Sequence, residues 1–438
     1  MTMLEMGIAS FPILLLMIFL RAPIGMAMFL CGIGGLYFGL GSSNMFLAKL
    51  KSETYTTFSS YSLTIIPMFL LMGQFATLSG MSAALFKASE SWLGHRKGGV
   101  AMASVGACAG FGAICGSSLA TAATMSRVAL PEMRRYGYSG GFSTATLAAG
   151  GTLGILIPPS VILVIYAILT EQNIAKLFLA AFIPGILAAI GYVITISIYV
   201  RLFPDAAGTR DPVPYAQRWR ALFDVWPVLT VFGLVVGGIY LGWFTPTEGA
   251  AIGAAGTGLL ALISGNLTWA VFKESLFATA MATAMIFFIV LGAGLYNSFL
   301  ALSQVPQEMS NLVVGQGWSP WTVLTVILVF YLLFGCLMDS LSMILLTIPI
   351  FFPVISVLDF GMSAEHVAIW FGILVLIVVE VGLITPPVGM NLFIINAMDR
   401  ETPMSETYKA VLWFVGSDLV RVVILVLFPA ITLCLLPS

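Results

Sequence analysis

Apolar stretches of about 20 residues, long enough to cross the hydrocarbon core of a bilayer, recur from one end of this 438-residue chain to the other. Hydrophobic residues make up 60% of the sequence and charged residues only 8%, so a water-soluble fold could not bury the apolar surface. The net charge of −1 argues against a nucleic-acid partner, because phosphate binding needs an excess of Lys and Arg. We therefore predict an all-α polytopic protein of the lipid bilayer.

The apolar stretches predict about ten membrane crossings. The first carries Glu5 and lacks a basic leading region, so we expect a membrane helix there and not a signal peptide. The chain has no GxxxxGK[ST] phosphate loop, and its two histidines, His95 and His366, are far apart. Neither direct use of ATP nor an enzyme is therefore indicated. The predicted crossings are 4–20, 23–41, 59–79, 139–170, 175–200, 222–243, 245–264, 276–300, 366–397 and 410–435.

The apolar region 98–133 does not have the form of two ordinary crossings. Its arms of about 17 and about 12 residues are short for full spans, and between them lies the polar tip Cys115-Gly116-Ser117-Ser118. Basic residues flank both ends, which places both ends in the cytoplasm. We predict a re-entrant hairpin whose tip lies in protein or lines a cavity, because exposed backbone is not tolerated in lipid.

The region 322–357 repeats this form with opposite flanks. Its tip is Asp339-Ser340-Leu341-Ser342, and no Lys or Arg occurs between Glu274 and Asp399. We therefore predict a second re-entrant hairpin that enters from the outer side of the membrane.

A Pro-Pro pair interrupts each of two apolar runs that are long enough to span, 139–170 and 366–397. Proline removes a backbone donor and clashes with the preceding turn, so a helix breaks at Pro158-Pro159 and at Pro386-Pro387. Such breaks free carbonyls that can bind Na⁺ and leave half-helix N-termini that attract anions. The alternative is a pair of packing kinks, which explains less well why each break accompanies a polar hairpin tip.

The two halves of the chain also resemble each other in sequence. Pro23 and Pro246 lie in similar motifs 223 residues apart, and the tip residues Ser118 and Ser340 are 222 residues apart. The segments 153–160 and 381–388, each containing a Pro-Pro pair, are 228 residues apart. Several matches in the same order are hard to attribute to chance.

A basic, proline-containing linker at 201–221 separates the predicted repeats 1–200 and 222–438, and its arginines place it in the cytoplasm. Each repeat would have about five crossings. Because five is an odd number, the two repeats would have inverted topology. Both termini would then be periplasmic. Lys49 and Lys51 would also lie outside, and we expect them on an amphipathic segment at the membrane surface.

Four motifs together resemble the large membrane subunit of tripartite ATP-independent periplasmic (TRAP) transporters, and the resemblance covers essentially the whole chain. They are GAICGSSLATA at 112–122, IPPS at 157–160, GLITPPVGMN at 382–391 and IIPMFLLMG at 65–73.

The resemblance implies Na⁺-coupled uptake of a small organic acid, such as a C4-dicarboxylate or a sialic acid, across the bacterial inner membrane. Its implied partners are a periplasmic substrate-binding protein and a small membrane subunit of about four helices. We expect that small subunit to be a separate chain, because all the predicted helices of this chain belong to its two repeats. It also implies an elevator-type mechanism with a scaffold domain and a moving transport domain. A self-sufficient Na⁺/anion symporter of the same architecture is the alternative.

The hairpin tips and helix breaks supply the candidate site residues, with two or more Na⁺ ions expected. The Na⁺ candidates are Cys115, Gly116, Ser117, Ser118, Gly154, Ile157, Pro158, Gly335, Asp339, Ser340, Gly382, Thr385 and Gly389. The substrate candidates are Ser118, Thr121, Pro159, Ser342, Pro387 and Asn391.

Several of these residues have a structural explanation beside the functional one. The hydroxyls near the first tip could bond the preceding helical turn, and Asp339 could either bind Na⁺ or cap the helix that follows. Glu248 is expected to cap a helix, and Asp418 and Arg421 are spaced to form a structural pair. Glu380, in the apolar run before the second break, has no such explanation.

Overall fold

The computed structural model describes residues 2–41 and 43–436, and within them the chain is helical without any strand. This confirms the all-α polytopic class; the predicted position of the termini concerns residues 1, 437 and 438, which lie outside the described residues. The first half contains α1 (Met3–Phe19), α2 (Ile24–Leu40), α3 (Ser43–Ser59), α4 (Ile65–Leu78), α5 (Met81–Leu93), α6 (Gly99–Cys115), α7 (Ser118–Arg135), α8 (Gly140–Leu156), α9 (Val161–Thr170) and α10 (Ile174–Leu202).

The second half begins with a short connecting helix, α11. It contains a π-helical segment, Gly233–Gly237, which joins α12 to α13. The helices are α11 (Tyr215–Phe223), α12 (Trp226–Phe232), α13 (Gly238–Tyr240), α14 (Pro246–Ile263), α15 (Trp269–Ser303), α16 (Val305–Gly315), α17 (Pro320–Gly335), α18 (Ser340–Ser356), α19 (Ala364–Gly382), α20 (Met390–Met398), α21 (Met404–Leu427) and α22 (Pro429–Leu433).

Four described helices, α10, α15, α19 and α21, are long and apolar enough to cross a membrane, and up to seven spans result if each bent helix pair counts as one. One bent pair is α8 with α9, at an angle of 45° across the first Pro-Pro segment. Three hairpin arms, α6, α17 and α18, are apolar but have 17 residues or fewer.

The described helices pack in two groups. In one, α15 lies against α2, α3 and α4, and α14 lies against α4. In the other, α8 is central and contacts α6, α7, α10, α20 and α21, while α19 contacts α17, α18, α10 and α21. Helices α5 and α16 lie between the groups, since α5 packs on both α4 and α6, and α16 packs on both α15 and α18. Each predicted repeat thus contributes helices to both groups.

The segment predicted as the linker contains local structure. Helix α10 extends to Leu202, and Arg218 of α11 is buried, with Nε donating to the Val213 carbonyl oxygen at 2.8 Å. Arg210 pairs with Glu90 of α5, 2.7 Å between Nη1 and Oε2. This loop is therefore held against the first half of the chain.

Two hairpin boundaries differ from the predicted ones. The second arm of the first hairpin continues to Arg135, because the helix accommodates Pro131 and Arg134 near its end pairs with Asp399 after α20. In the second hairpin, Asp339 caps α18, so Ser340 and Ser342 lie in the first turn of that helix and not in the loop.

Candidate transport site

The first hairpin turns over two residues because its helices end and begin abruptly. Helix α6 stops at Cys115, and Gly116 then has φ +63°, a left-handed conformation that glycine adopts without strain. Ser117 is extended and its side chain accepts a hydrogen bond from the Ala120 amide at 3.4 Å, which caps α7. The tip is thereby directed into the protein with Ser118, 1% exposed, as the first helical residue.

This tip lies against the first helix break. A Cβ atom placed on Gly116 would come within 3.0 Å of the Pro159 carbonyl oxygen. A Cβ on Gly154, in the last turn of α8, would lie 2.4 Å from the Thr121 hydroxyl and 2.7 Å from the Ser117 carbonyl oxygen. The structure therefore brings the hydroxyl and carbonyl oxygens of the first tip to the half-helix that ends near Ile157.

The second hairpin tip lies against the second break in a comparable way. Helix α19 ends at Gly382 and α20 begins at Met390, and the Gly389 amide donates to the Cys336 carbonyl oxygen at 3.2 Å. Gly389 has φ +67°, again in the left-handed region. Both Pro-Pro peptide bonds, 158–159 and 386–387, are cis.

Paired glycines allow each hairpin to approach its broken helix. A Cβ on Gly112 of α6 would lie 2.4 Å from Gly154 Cα, and a Cβ on Gly382 of α19 would lie 2.6 Å from the Gly335 carbonyl carbon of α17. Only residues without a side chain permit backbones to come this close. The two contacts occupy corresponding places in the two predicted repeats.

The carboxyl group of Glu380 lies where the two hairpins meet. Its side chain is fully buried, and Oε1 accepts a hydrogen bond of 2.6 Å from Ser340 Oγ, in the first turn of α18. Ser118, at the start of α7, lies near the same carboxyl group without a hydrogen bond to it. Oε2 has no hydrogen-bond partner among the described residues. Glu380 was not among the predicted site residues, although its position in an apolar run is the signal of a functional ionisable group.

Asn391 connects the second broken helix to the first. Its side chain is fully buried and Nδ2 donates to the Ala148 carbonyl oxygen of α8 at 3.3 Å, while Oδ1 has no partner within the described residues. Ser160, which the predicted set omitted, is also fully buried and caps α9 by accepting from the Leu163 amide at 3.4 Å. The polar centre therefore draws on both halves of the chain.

Other candidates use their oxygens locally. Asp339 accepts from the Ser342 amide at 3.1 Å and from the Ser342 hydroxyl at 2.5 Å, which is the capping role. The Thr385 hydroxyl donates to the Val381 carbonyl oxygen, and the Pro387 carbonyl oxygen accepts from the Tyr408 hydroxyl, each at 2.6 Å. Pro158 is buried in the first break. No group of three or more His, Cys, Asp or Glu side chains that could hold a metal ion occurs within residues 2–41 and 43–436.

Two side-chain pairs outside the tips have the structural roles expected of them. Glu248 forms a capping box with Thr245 at the start of α14. Asp418 and Arg421 of α21 form a buried pair, 2.9 Å between Oδ1 and Nη2, and Tyr192 of α10 donates to Asp418 Oδ2 at 2.7 Å.

An all-helical membrane fold in which two hairpin tips meet two interrupted helices at a buried polar centre is the architecture of a secondary transporter. The family model described as "Tripartite ATP-independent periplasmic transporter, DctM component" matches residues 11–431, and the chain belongs to this family. The family is one of transporters and not of enzymes.

Several characterised relatives are similar over most of their length. The C4-dicarboxylate TRAP transporter large permease protein DctM of Pseudomonas aeruginosa is 36% identical over 88% of this chain and 89% of the relative. The sialic acid TRAP transporter large permease protein SiaM of Vibrio cholerae is 28% identical over 86% of each chain. A crystal structure of the Alcanivorax borkumensis YdaH transporter superposes with a TM-score of 0.65 over 91% of this chain and 92% of that one, at 14% identity, so it shows a shared fold.

Proposed function

We propose that this chain is the large membrane subunit of a transporter that takes up a small organic acid together with Na⁺. In the proposed complex, a periplasmic binding protein delivers the acid and a small four-helix membrane subunit completes the membrane part. The named relatives transport C4-dicarboxylates or sialic acid, and both are carboxylates. The observation that carries the proposal is the meeting of each hairpin tip with a helix break.

Na⁺ coupling is supported by the oxygen atoms at these contacts. Na⁺ is a hard cation that prefers oxygen ligands, and a broken helix offers carbonyls that no helical partner uses. At the first tip, the Ser117 carbonyl and the Thr121 hydroxyl face the last turn of α8 at Gly154. At the second tip, Gly335 and Cys336 lie against the end of α19. We assign one Na⁺ ion to each contact, with the organic acid between them.

The acid would bind near the helix N-termini that the breaks and tips create. Helices α7 and α18 begin with Ser118 and Ser340, both almost fully buried, and their amides favour a negatively charged group. Asn391 adds an amide side chain with an oxygen that is unpartnered among the described residues. A carboxylate is the class of ligand that this set of donors suits.

An elevator-type movement is supported by the packing in two groups. The group around α8 and α19 contains both hairpins and both breaks, while the group around α15 contains neither. Helices α5 and α16 join the groups, which also touch directly where α4 packs on α6 and α15 packs on α18. In the proposed mechanism the first group carries the site across the membrane, the second is the scaffold, and both termini are periplasmic.

The proposal is tested by leaving out one component at a time from proteoliposomes. We expect uptake of a radiolabelled dicarboxylate or sialic acid only when the chain, the small membrane subunit and the binding protein are all present, with no requirement for ATP. Uptake at the full rate without the binding protein would show a self-sufficient symporter instead. A strict requirement for ATP would contradict the proposal.

A further inference from the structure

The Glu380 carboxyl group lies between the two hairpins and is hydrogen-bonded to the second. It lies on α19 and accepts a hydrogen bond of 2.6 Å from Ser340 Oγ on the second hairpin. Ser118 of the first hairpin lies near the same carboxyl group. One of its two oxygens, Oε2, has no hydrogen-bond partner in the described part of the chain, and its side chain is fully buried. A buried carboxylate is normally paired, because its charge is costly in a low-dielectric interior.

No polar group of the neighbouring helices hydrogen-bonds Oε2, although Arg421 Nε and Nη1 also lack a hydrogen-bond partner among the described residues. Arg421 on α21 pairs with Asp418, which also accepts from Tyr192 of α10. Tyr331 of α17 accepts from the Thr347 hydroxyl of α18, and Tyr166 of α9 donates to the Ala368 carbonyl oxygen of α19. The groups that face α19 from its packed elements are Tyr166, Tyr192, Tyr331, Asp339, Asp418 and Arg421.

We propose that Glu380 binds Na⁺ at the point where the two hairpin tips meet. The inference rests on the proposed function. It adds a further ion site to those at the carbonyl oxygens, and one residue of each hairpin lies beside this site. The cation offsets the cost of burying the carboxylate charge between the tips, so a bound organic acid is not repelled. With the cation absent, the carboxylate is more stable where water can reach it, which favours separation of the tips. Closing of the two hairpins is thereby coupled to cation binding.

The test replaces Glu380 by Gln and measures cation dependence in two ways. Uptake by the reconstituted complex is measured against Na⁺ concentration, and the melting temperature of the purified chain is measured with and without Na⁺. A Na⁺ site predicts that Glu380→Gln weakens the apparent Na⁺ affinity by roughly 5-fold or more and reduces the Na⁺-induced rise in melting temperature.

Two further variants keep the result interpretable. Ser340→Ala leaves the charge in place but removes its hydrogen bond, so it should shift the same dependence in the same direction even where Glu380→Gln fails to fold. Ser104→Ala, on the first hairpin, removes a hydroxyl that only bonds within its own helix and to Met133, and it should behave as the unsubstituted chain does. Unchanged Na⁺ dependence in both Glu380→Gln and Ser340→Ala would overturn the inference.

Failure of the proposed function is separately visible. If uptake by the unsubstituted complex needs no Na⁺, then Na⁺-coupled transport is wrong. The melting measurements on the purified chain still decide the Glu380 site, because a cation bound there stabilises the folded chain whether or not it is transported.

Discussion

Substitution of Gly382 by alanine tests the contact between the second hairpin and the second broken helix. Gly382 is the last residue of α19, and a Cβ placed there would lie 2.6 Å from the carbonyl carbon of Gly335, 2.7 Å from its Cα and 3.0 Å from the Cys336 amide nitrogen. All three are backbone atoms, so no side-chain rotation can relieve the contact. The hairpin arm α17 has to move away from α19.

The required movement sets the expected cost. Carbon atoms in contact prefer separations of about 3.5–4.0 Å, so the backbones must separate by about 1 Å. Overpacking of this kind costs about 1–3 kcal/mol, and alanine recovers up to about 1 kcal/mol of helix propensity. We expect a net loss of stability, and a loss of about 1–3 kcal/mol in the closed state alone would reduce its population by roughly 5- to 150-fold.

The assay compares Gly382→Ala with Gly416→Ala at matched expression, by thermal unfolding in detergent and by uptake in proteoliposomes. Gly416 lies on α21, and apart from its chain neighbours and the backbone of its own helix, none of the described residues has an atom within 4 Å of its added Cβ. We expect Gly416→Ala to melt at or slightly above the unsubstituted chain and Gly382→Ala to melt below it, with slower uptake. Equal melting and equal uptake for all three proteins would refute the close approach of hairpin and broken helix.

Three further substitutions test individual contacts. Asp339→Ala should lose about 1 kcal/mol of stability because it removes the cap of α18, whereas Asp339→Asn should keep the cap and the stability. A similar loss of Na⁺ affinity in both variants would show instead that the Asp339 charge binds Na⁺. Arg134→Ala should cost about 1–3 kcal/mol in thermal unfolding because Asp399 stays buried without its partner, and unchanged melting would contradict that pairing. Asp418→Ala should destabilise by about 3–5 kcal/mol and the double variant with Arg421→Ala by less, whereas simple additivity would exclude a coupled pair.

The hairpins and breaks could be predicted from sequence because their signals are local. A polar tip between two short apolar arms and a Pro-Pro pair within an apolar run each depend on neighbouring residues alone. The structure places helix ends at Cys115, Leu156, Gly335 and Gly382, close to these signals. The capping role of Asp339 was one of two open alternatives, because a side chain that caps and a side chain that binds an ion have the same sequence pattern.

The convergence of the two halves could not be predicted in the same way. Glu380 and Ser340, which are hydrogen-bonded, lie 40 residues apart in the sequence. Asn391 and Ala148, whose contact joins the two predicted repeats, lie 243 residues apart. Such contacts depend on how whole helices pack, which periodicity and propensity do not specify. The apolar surroundings of Glu380 indicated an important residue but not its partners.

The central claim is that Na⁺ drives the movement of the organic acid, and the most direct measurement is uptake into proteoliposomes that contain the complete complex. An inward Na⁺ gradient is imposed with the membrane potential clamped at zero, and the same gradient is then made with K⁺ or choline. We predict accumulation of the acid above its external concentration with Na⁺, and only equilibration or no uptake with the other cations. Equal accumulation with Na⁺, K⁺ and choline would contradict the account.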